Sequence, residues 1–326
     1  MKRLLLSILV AGILLLVACG VPTTAPPSEA PLTPPPTEQP APVSPETPSP
    51  APAPEPIPTP TPSPEPTPSP LPESELSLLS IYFIDVEQGD SILIDYGEYE
   101  VLIDGGGKSP GVVNYLKPLV DGSLEVMVAT HPHADHIGGL IDVLARYQVN
   151  EIWHNGDTAT SKTYSEFMAA VDSEGTEVHI ARLHDTIQAG ELSLYVHHPA
   201  NLEGSTNNNS IVLHLAYGDV DVLFTGDAEK EAEGAMMVLS SVRIPDVEIL
   251  KVGHHGSRTA SSKDFLAITS PEIAIYMAKE GNSYGHPHQE TIDALTEIDA
   301  EIYGTDTNGT IQITTDGKMY NVNPER

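Results

Sequence analysis

Short apolar runs rich in β-branched residues, separated by glycine, proline or aspartate, recur along residues 79–314. Such runs predict strands, because valine and isoleucine side chains fit a pleated, half-buried surface. The predicted strands cover residues 79–84, 91–95, 100–103, 126–129, 151–153, 191–196, 211–217, 220–225, 249–252, 273–276, 301–303 and 309–314. A dozen short strands predict more than one sheet.

Helical patterns fall between these runs, and Asp264 and Thr291 lie among residues suited to helix starts. The predicted helices cover residues 112–118, 138–147, 165–173, 229–239, 262–268 and 289–298. Hairpin-like pairs of strands come first, and strands then alternate with helices. The pattern therefore predicts an α/β (α+β) fold with two sheets and helices outside them.

The chain begins with a basic pair, Lys2 and Arg3, followed by an almost wholly apolar stretch over residues 4–18. A basic start and an apolar stretch too short to span a bilayer comfortably predict a lipoprotein signal peptide over residues 1–18. Residues 16–20 resemble a bacterial lipobox, which implies cleavage before Cys19 and lipid attachment to its thiol. The expected location is the extracellular face of the cell membrane. A plain cleaved signal peptide or a single-span anchor is the alternative.

Residues 19–76 are dominated by proline, with threonine, serine, alanine and glutamate between. Such a segment cannot bury a core and favours extended polyproline II, so it predicts a disordered, lipid-anchored stalk. The stalk would hold the folded part clear of the membrane. Residues 77–326 contain no second linker and are expected to form a single folded domain.

The formal net charge of the chain is −31 at pH 7. This acidic balance favours solubility and opposes broad electrostatic attraction to nucleic acid or to anionic lipid. Cys19 is the only cysteine among 326 residues, which excludes an intramolecular disulfide and a thiolate ligand in the folded domain. A metal site would have to consist of histidine and carboxylate side chains.

Residues 130–136 read THPHADH and place three imidazoles and one carboxylate within a few positions. In an extended or tightly turned segment, His131 and His133 project to the same side. Asp135 and His136 follow one turn later, where they can serve a neighbouring ion. Neutral imidazoles and carboxylates are the ligands of Zn²⁺ in catalytic sites that leave a position open for water. A histidine-rich surface loop is the alternative.

Other motifs accompany this one: VEQGDS at 86–91, IDGGG at 103–107, NNNS at 207–210, FTGDAE at 224–229, KVGHHGS at 251–257 and YGHPH at 284–288. Together they make the chain resemble metallo-β-lactamase-fold hydrolases, and within that superfamily the extracellular domain of the competence protein ComEC. The resemblance covers roughly residues 79–317. One departure is Glu87, where the family usually has glycine.

The resemblance implies a four-layer αββα sandwich with two divalent metal ions at one edge. His131 and His133 would bind the first ion, and Asp135 and His136 the second. Asp227 matches the position whose carboxylate bridges both ions. Such an anion is physically sensible, because two dications ~3.5–4 Å apart otherwise repel strongly. A helix N-cap is the alternative for Asp227. Zn²⁺ is the favoured ion and Mn²⁺ the alternative, given carboxylate ligands and no thiolate.

Three more histidines are ligand candidates. His254 and His255 follow an apolar strand, and adjacent residues point to opposite faces. One of them would therefore be the last ligand of the second ion, and the other would face substrate or a neighbouring loop. His254 is the preferred ligand, although the sequence leaves the choice open. His198 would fill the third position of the first ion; an ordinary loop residue, with water in its place, is the alternative.

The late YGHPH loop supplies His286 and His288. The resemblance implies that this loop lies near the metals, where it contacts the substrate phosphate or provides a general acid. A helix N-cap role with solvent-exposed histidines is the alternative. The catalytic candidates are Asp135, His255, His286 and His288.

Three aspartates are expected to support the ligands rather than to bind the ions: Asp85, Asp90 and Asp104. A metal-bound histidine commonly donates its second N–H to a carboxylate or a carbonyl, which fixes its tautomer. Asp104, in the glycine-rich IDGGG turn, is expected to form such a support.

The expected activity is metal-dependent hydrolysis of a phosphoester by a water molecule that the ions activate. The resemblance to ComEC implies a phosphodiesterase or nuclease that acts on DNA outside the membrane. Because the chain is acidic, another substrate stays open, namely a cell-wall phosphodiester of the teichoic or phosphorylcholine type. A β-lactam hydrolase and a non-catalytic metal-binding lipoprotein are further alternatives.

Overall fold

Two β-sheets form the centre of the molecule, and helices cover the outer face of each sheet. The computed structural model describes residues 77–239 and 244–326. The predicted signal peptide over 1–18, the predicted stalk over 19–76 and Cys19 lie outside the described residues. Within the described ranges, no helix is long and apolar enough to cross a membrane.

Fifteen strands are found in the described part of the chain. They are β1 (Leu79–Phe83), β2 (Ile92–Tyr96), β3 (Tyr99–Ile103), β4 (Leu124–Ala129), β5 (Val149–His154), β6 (Glu177–Ile180), β7 (Thr186–Ala189), β8 (Leu192–His198), β9 (Val212–Tyr217), β10 (Val220–Phe224), β11 (Ile249–Lys251), β12 (Ile273–Tyr276), β13 (Glu301–Gly304), β14 (Ile311–Thr315) and β15 (Tyr320–Pro324). The first sheet has the order β15-β14-β1-β2-β3-β4-β5-β6. The second has the order β13-β12-β11-β10-β9-β8-β7.

The helices are α1 (Val113–Leu116), α2 (Ala134–Ile137), α3 (Leu140–Leu144), α4 (Lys162–Glu174), α5 (Lys230–Leu239), α6 (Lys263–Thr269), α7 (Gln289–Glu297) and α8 (Thr305–Asn308). Two 3₁₀ turns, Asn207–Asn209 and Gly253–Gly256, carry site residues. Helices α4 and α6 begin at serine N-caps, where Ser161 and Ser262 each accept a hydrogen bond from a backbone N–H three residues later.

Three buried apolar clusters correspond to the three interfaces between four layers. One lies between the two sheets, where the Phe83 and Phe224 rings are 6.3 Å apart. The second joins the first sheet to α1–α4 and includes Phe167. The third joins the second sheet to α5–α7 and includes Phe265. This arrangement confirms the expected αββα sandwich.

All twelve predicted strands and all six predicted helices have counterparts in the structure, with shifted ends. Strands β6, β7 and β15 and helices α2 and α8 were not predicted. Strand β6 has only four residues, EVHI, and three of them are exposed, so it is too short to stand out as an apolar run. Strand β15 reads YNVNP, and asparagine and proline are depleted in strands.

Parallel pairing directs several strand ends to one edge of the sandwich. Strands β3, β4, β5 and β6 are parallel neighbours, as are β10, β11, β12 and β13. The carboxyl ends of parallel strands meet at the same edge of a sheet, where open α/β sheets commonly bind ligands. The histidine and aspartate motifs lie at these ends.

His197, on β8, predicts a pH dependence of stability. The side chain is buried, and neither ring nitrogen has a hydrogen-bond partner among the described residues. Burial, together with nearby His214 and His184, lowers the pKa of His197 to about 4. Because the unfolded chain binds this proton at a higher pH, stability should fall as pH decreases from about 6.5 toward 4.

Between pH 7.5 and pH 4.5 the free energy of unfolding should decrease in wild type. We expect this decrease to be smaller by about 1–3 kcal/mol in His197→Leu. Urea unfolding of both proteins at several pH values, with EDTA present, measures the effect. Histidines at the metal centre also titrate, but they contribute equally to both proteins and cancel in the difference. A constant difference in free energy of unfolding across this range would contradict the prediction.

Candidate metal centre

Four strand ends supply the side chains of the site. Asp104 follows β3, the THPHADH motif follows β4, Asp227 comes three residues after β10, and the histidine pair at 254–255 comes shortly after β11. The edges of the two sheets meet here, since His136 Nε2 of the first half lies 3.3 Å from Asp227 Oδ2 of the second. Residues far apart in sequence therefore form one centre.

Two groups of side chains, among the residues described, have ligand atoms close enough to hold a metal ion. The larger group consists of Asp90, His136, Asp227 and His255, and the smaller of His131, His133 and Asp227. Within each group the ligand atoms lie within 4.8 Å of one another. Asp227 belongs to both groups, as a bridging carboxylate would.

Asp227 Oδ2 is surrounded by imidazole nitrogens. It lies 3.4 Å from His255 Nε2 and 3.7 Å from His131 Nε2. Asp227 is itself buried, and its backbone N–H donates to Ser210 Oγ at 3.2 Å. The position of this carboxylate is thus set by the turn after β10 and by the loop that precedes β9.

Four buried atoms of the larger group have no hydrogen-bond partner among the described residues: His136 Nε2, His255 Nε2, Asp227 Oδ1 and Asp90 Oδ1. Leaving a buried polar group without a partner costs about 1–3 kcal/mol, so such atoms mark a place where a ligand belongs. Two imidazole nitrogens and two carboxylate oxygens are donors of the kind that divalent ions such as Zn²⁺ take. The residues present therefore fit a divalent metal ion.

Carboxylates near the histidines of the larger group change the pKa values of those histidines. Burial alone would lower the pKa of His136, but the carboxylates of Asp227 and Asp104 outweigh burial and hold that pKa well above its usual value. Burial is likewise outweighed at His255, whose pKa is raised by Asp227 and Asp135. A dication here would supply the positive charge that the imidazolium protons otherwise supply. Metal binding should therefore release protons.

Asp104 supports His136, as expected from the IDGGG turn. Its Oδ2 lies 2.7 Å from His136 Nδ1 and accepts from Thr130 Oγ1 at 2.6 Å, while its Oδ1 accepts from the Thr130 backbone N–H at 2.8 Å. Asp104 is fully buried and its φ of +58° lies in the left-handed region. The carboxylate leaves Nε2 of His136 directed at Asp227, which is the usual arrangement of a metal-binding histidine.

Asp90, expected only to support a ligand, lies within the larger group. Its Oδ2 forms an ion pair with Lys251 Nζ at 2.7 Å, and both side chains are buried. Its Oδ1 lies 3.2 Å from His255 Nδ1. One oxygen is therefore committed to a lysine, and the other faces a candidate ligand. Lys251 belongs to the KVGHHGS motif, but nothing in the sequence pattern predicted that its side chain would be buried beside the candidate metal centre.

His254 and His255 have different surroundings. His255 joins the larger group, while its Nδ1 donates to the Met277 carbonyl at 3.0 Å. His254, the ligand preferred from sequence, joins neither group. Its Nδ1 lies 3.1 Å from Glu229 Oε1, and its Nε2 is 3.8 Å from Asp227 Oδ2. Both histidines have positive φ angles, which the sequence did not indicate, so the backbone at this pair is turned and not extended.

Asp135 and His198 also lie outside the two groups. Asp135 Oδ2 is 3.5 Å from His255 Nε2, so this carboxylate borders the larger group. His198 is buried at the end of β8, and its Nδ1 lies 3.1 Å from the Ser210 carbonyl. It lines a separate cavity of about 500 Å³ with Glu203, Glu229 and others. The expectation that His198 completes the first metal site stays a prediction.

A cavity of about 310 Å³ opens over the centre. Its lining includes His133, Asp135, Asp227, His255 and His286. His286 Nδ1 is buried without a hydrogen-bond partner among the described residues. His288, in contrast, begins α7, and its Nδ1 accepts the backbone N–H of Arg258 at 3.1 Å. The catalytic roles expected of these residues stay predictions, but only His286 of the late pair lines the cavity.

Comparisons with known proteins place this geometry in a family. Residues 84–278 match the model of the metallo-β-lactamase superfamily. The chain belongs to the metallo-β-lactamase superfamily. The match includes the THPHADH motif, Asp227 and His255, so it covers both candidate metal groups. The superfamily and the centre together indicate a metallo-hydrolase fold that takes divalent metal ions.

Two curated relatives refine the comparison. The chain is 30% identical over 251 residues to ComE operon protein 3 of Bacillus subtilis, covering 70% of this chain and 32% of the relative. It is 27% identical over 179 residues to exodeoxyribonuclease WalJ of Streptococcus pneumoniae, covering 52% and 64%. The chain thus spans less than two thirds of each relative. The resemblance to competence proteins of the ComEC type is confirmed.

Among solved structures, the chain is similar to Igni18, a metallo hydrolase of the archaeon Ignicoccus hospitalis. The identity is 13% and the TM-score is 0.48, with 72% of this chain and 98% of that chain covered.

Proposed function

We propose that this chain is a divalent-metal-dependent phosphodiesterase that cleaves DNA. The observation that carries the proposal is the position of Asp227, whose carboxylate belongs to both groups of candidate ligands. Two ions that share a carboxylate can stabilise both the attacking and the leaving oxygen of a phosphoester. A site with one ion would have no need for the second group.

His131, His133 and Asp227 would hold one ion, and His136, His255 and Asp227 the other. Asp135, at 3.5 Å from His255, is the nearest further carboxylate for the second ion. Bound there, two divalent ions would supply charge stabilisation and lower the pKa of water toward ~7. Asp104 and the Met277 carbonyl hold His136 and His255 in the tautomers whose Nε2 atoms face Asp227.

The cavity over the centre provides contacts for a phosphate. His254 lies beside His286, with ring centroids 5.3 Å apart, and both line the cavity. The unpartnered Nδ1 of His286 is buried at this place. These histidines can donate hydrogen bonds to phosphate oxygens. Burial, together with His254, His255 and His288, lowers the pKa of His286 to about 4, so His286 would donate as a neutral imidazole.

The substrate class rests on the relatives. Competence proteins and an exodeoxyribonuclease are among the similar proteins, and the name of the exodeoxyribonuclease states an activity on DNA. The net charge of −31 opposes binding of long DNA through its backbone. We therefore propose that cleavage of long DNA needs divalent cations beyond the catalytic pair, which screen this repulsion. An anchor at Cys19 and the stalk would keep the domain at the outer face of the membrane.

A second candidate substrate is a phosphodiester with a cationic group, such as a phosphorylcholine. The 500 Å³ cavity beside the centre is lined by Glu203, Glu229 and Glu231. Glu229 also contacts His254 at 3.1 Å, so the acidic cavity and the centre share a wall. Acidic side chains favour a cation there.

The full chain, loaded with Zn²⁺ or with Mn²⁺, should be assayed on a single-stranded oligonucleotide, bis-nitrophenyl phosphate and glycerophosphocholine. We expect hydrolysis of the first two, and slow cleavage of long DNA that increases severalfold when millimolar Mg²⁺ is added. Hydrolysis of glycerophosphocholine alone would favour the second candidate. Hydrolysis of a β-lactam with no phosphodiester turnover would rule out both.

A further inference from the structure

Tyr284 is an exposed aromatic residue at the rim of the candidate centre. Its side chain is 64% exposed, the largest exposure of an aromatic ring among the strongly exposed apolar residues described. It nevertheless lines the 310 Å³ cavity together with His133, Asp135 and Asp227. An exposed tyrosine at this place is not explained by packing of the core.

One face of the Tyr284 ring is partly covered by the offset ring of His286. The two rings are nearly parallel, with an angle of 22° between their planes and 5.7 Å between their centroids. With one face on His286 and most of the side chain exposed, the other face is open to solvent. The tyrosine therefore forms an aromatic stack that another flat ring can extend.

The loop that carries Tyr284 is held by its own hydrogen bonds. Asn282 Oδ1 accepts the backbone N–H groups of Tyr284 and His286, both at 3.1 Å. Asn282 Nδ2 donates to the carbonyls of Lys279 and His286 at 2.9 Å and 2.5 Å. Beyond the loop, the His288 N–H donates to the Gly256 carbonyl at 2.9 Å. The ring is thus presented by an ordered turn, so little conformational entropy is lost on binding.

A nucleobase is the flat ring that a phosphodiester of DNA would bring to this position. Base–aromatic stacking tolerates any sequence, because every base has a π-face. It also does not depend on positive charge. In a chain of net charge −31, stacking can supply binding energy that a basic groove supplies in other nucleic-acid-binding proteins.

The stack restricts the form of DNA. A base inside a duplex is paired and stacked on its neighbours, so both of its faces are already covered. Only a base in a single strand, or the last base at a duplex end, can place a face on Tyr284 while its phosphate reaches the cavity below.

We propose that Tyr284 binds a nucleobase next to the scissile phosphate, which makes single-stranded DNA the substrate of this site. The inference rests on the proposed phosphodiesterase function and adds the form of the substrate. Tyr284 is a specificity-determining residue in this view and does not take part in the chemical step.

The kinetic test compares the full chain with Tyr284→Ala and Tyr284→Phe on a single-stranded oligonucleotide. We expect Tyr284→Ala to raise KM by about 5-fold to 150-fold, with kcat within about 3-fold of wild type. Tyr284→Phe retains the ring and should keep the wild-type KM. Tyr99→Ala is the matched control, since Tyr99 is partly exposed at the far end of β3. An abasic site beside the cleaved bond should raise the KM of wild type and leave that of Tyr284→Ala unchanged.

A binding test does not depend on turnover. Trp153 is the only tryptophan of the chain, so Tyr284→Trp adds one indole at the rim. Deoxyadenosine 5′-monophosphate should quench this indole with saturation, whereas deoxyribose 5-phosphate, which lacks the base, should not. Wild type reports any change at Trp153.

The outcomes separate the two claims. If wild type hydrolyses no phosphodiester, the proposed function fails, and the quenching experiment still decides whether the rim stacks a base. If wild type cleaves DNA but Tyr284→Ala retains its KM, or duplex DNA is cleaved as well as single strands, the stacking proposal is wrong. Equal quenching by the two sugar phosphates would also overturn it.

Discussion

Asp227→Ala should lose at least about 10³-fold of phosphodiesterase activity, because one carboxylate serves both groups of candidate ligands. Its Oδ2 lies within 3.3–3.8 Å of a ring nitrogen of His131, His136, His254 and His255. Without this anion, two dications close together would repel each other with nothing between them. The loss should therefore appear in metal content as well as in rate.

Elemental analysis of the dialysed full chain is the decisive measurement for Asp227. We expect about two divalent ions per chain in wild type and no more than one in Asp227→Ala. Asp172→Ala removes an exposed carboxylate from α4 and is the matched control, which should retain both ions and full activity. One tightly held ion in both wild type and Asp227→Ala would rule out the bridging role.

The fold was largely predictable from sequence because its strands are short, apolar and separated by turn residues. The core strands have buried residues on both faces, as in β4 and β12, and thus read as apolar runs. Edge strands do not: Val178 and Ile180 of β6 are 42% and 52% exposed. Strand β6 forms by pairing with β5, which is distant in sequence, so the local sequence pattern does not predict it.

The candidate site was predictable as far as residue types and local spacing indicate chemistry. His131, His133 and His136 lie in one motif, and the structure brings His136 to Asp227, 91 positions later, because two strand ends meet. The choice between His254 and His255 could not be made in this way. Their φ angles of 47° and 55° turn the backbone, so alternation along an extended strand no longer applies.

Glu87 shows a similar limit. In the VEQGDS motif, where the resemblance expects glycine, Glu87 has a φ of +65°. This left-handed conformation suits glycine and costs other residues roughly 1–2 kcal/mol. Its carboxylate pairs with Lys279 Nζ at 2.6 Å across the loop that leads to Tyr284. The sequence indicated the departure, but its conformational cost and its partner follow only from the fold.

Lys251→Met is expected to lower the free energy of unfolding by about 3–5 kcal/mol. Lys251 is completely buried, its Nζ lies 2.7 Å from Asp90 Oδ2, and it also donates to the Val252 carbonyl at 2.9 Å. Burial raises the pKa of Asp90, but Lys251 and His255 outweigh it and hold that pKa below its usual value. Removing the ammonium therefore leaves a buried carboxylate without its main counter-charge.

The matched variants separate this pair from a general effect of losing a lysine. Lys251→Met combined with Asp90→Asn should be more stable than Lys251→Met alone, because the uncompensated charge is removed together with its partner. Lys230→Met, at an exposed position, should change stability by no more than about 0.5 kcal/mol. Urea unfolding with EDTA measures wild type, both single variants of the pair (Lys251→Met and Asp90→Asn), the double variant and Lys230→Met without a contribution from bound metal.

The stability loss caused by Lys251→Met should depend on pH. A carboxylate with a lowered pKa stabilises the fold above its unfolded pKa, and this contribution is lost as pH falls through the folded pKa. The difference in free energy of unfolding between wild type and Lys251→Met should therefore be largest near pH 7. It should decrease at acidic pH, where protonation of Asp90 removes the buried negative charge. A loss below about 1 kcal/mol at pH 7, or a double variant that loses the sum of both single losses, would show that the buried pair does not act as a unit.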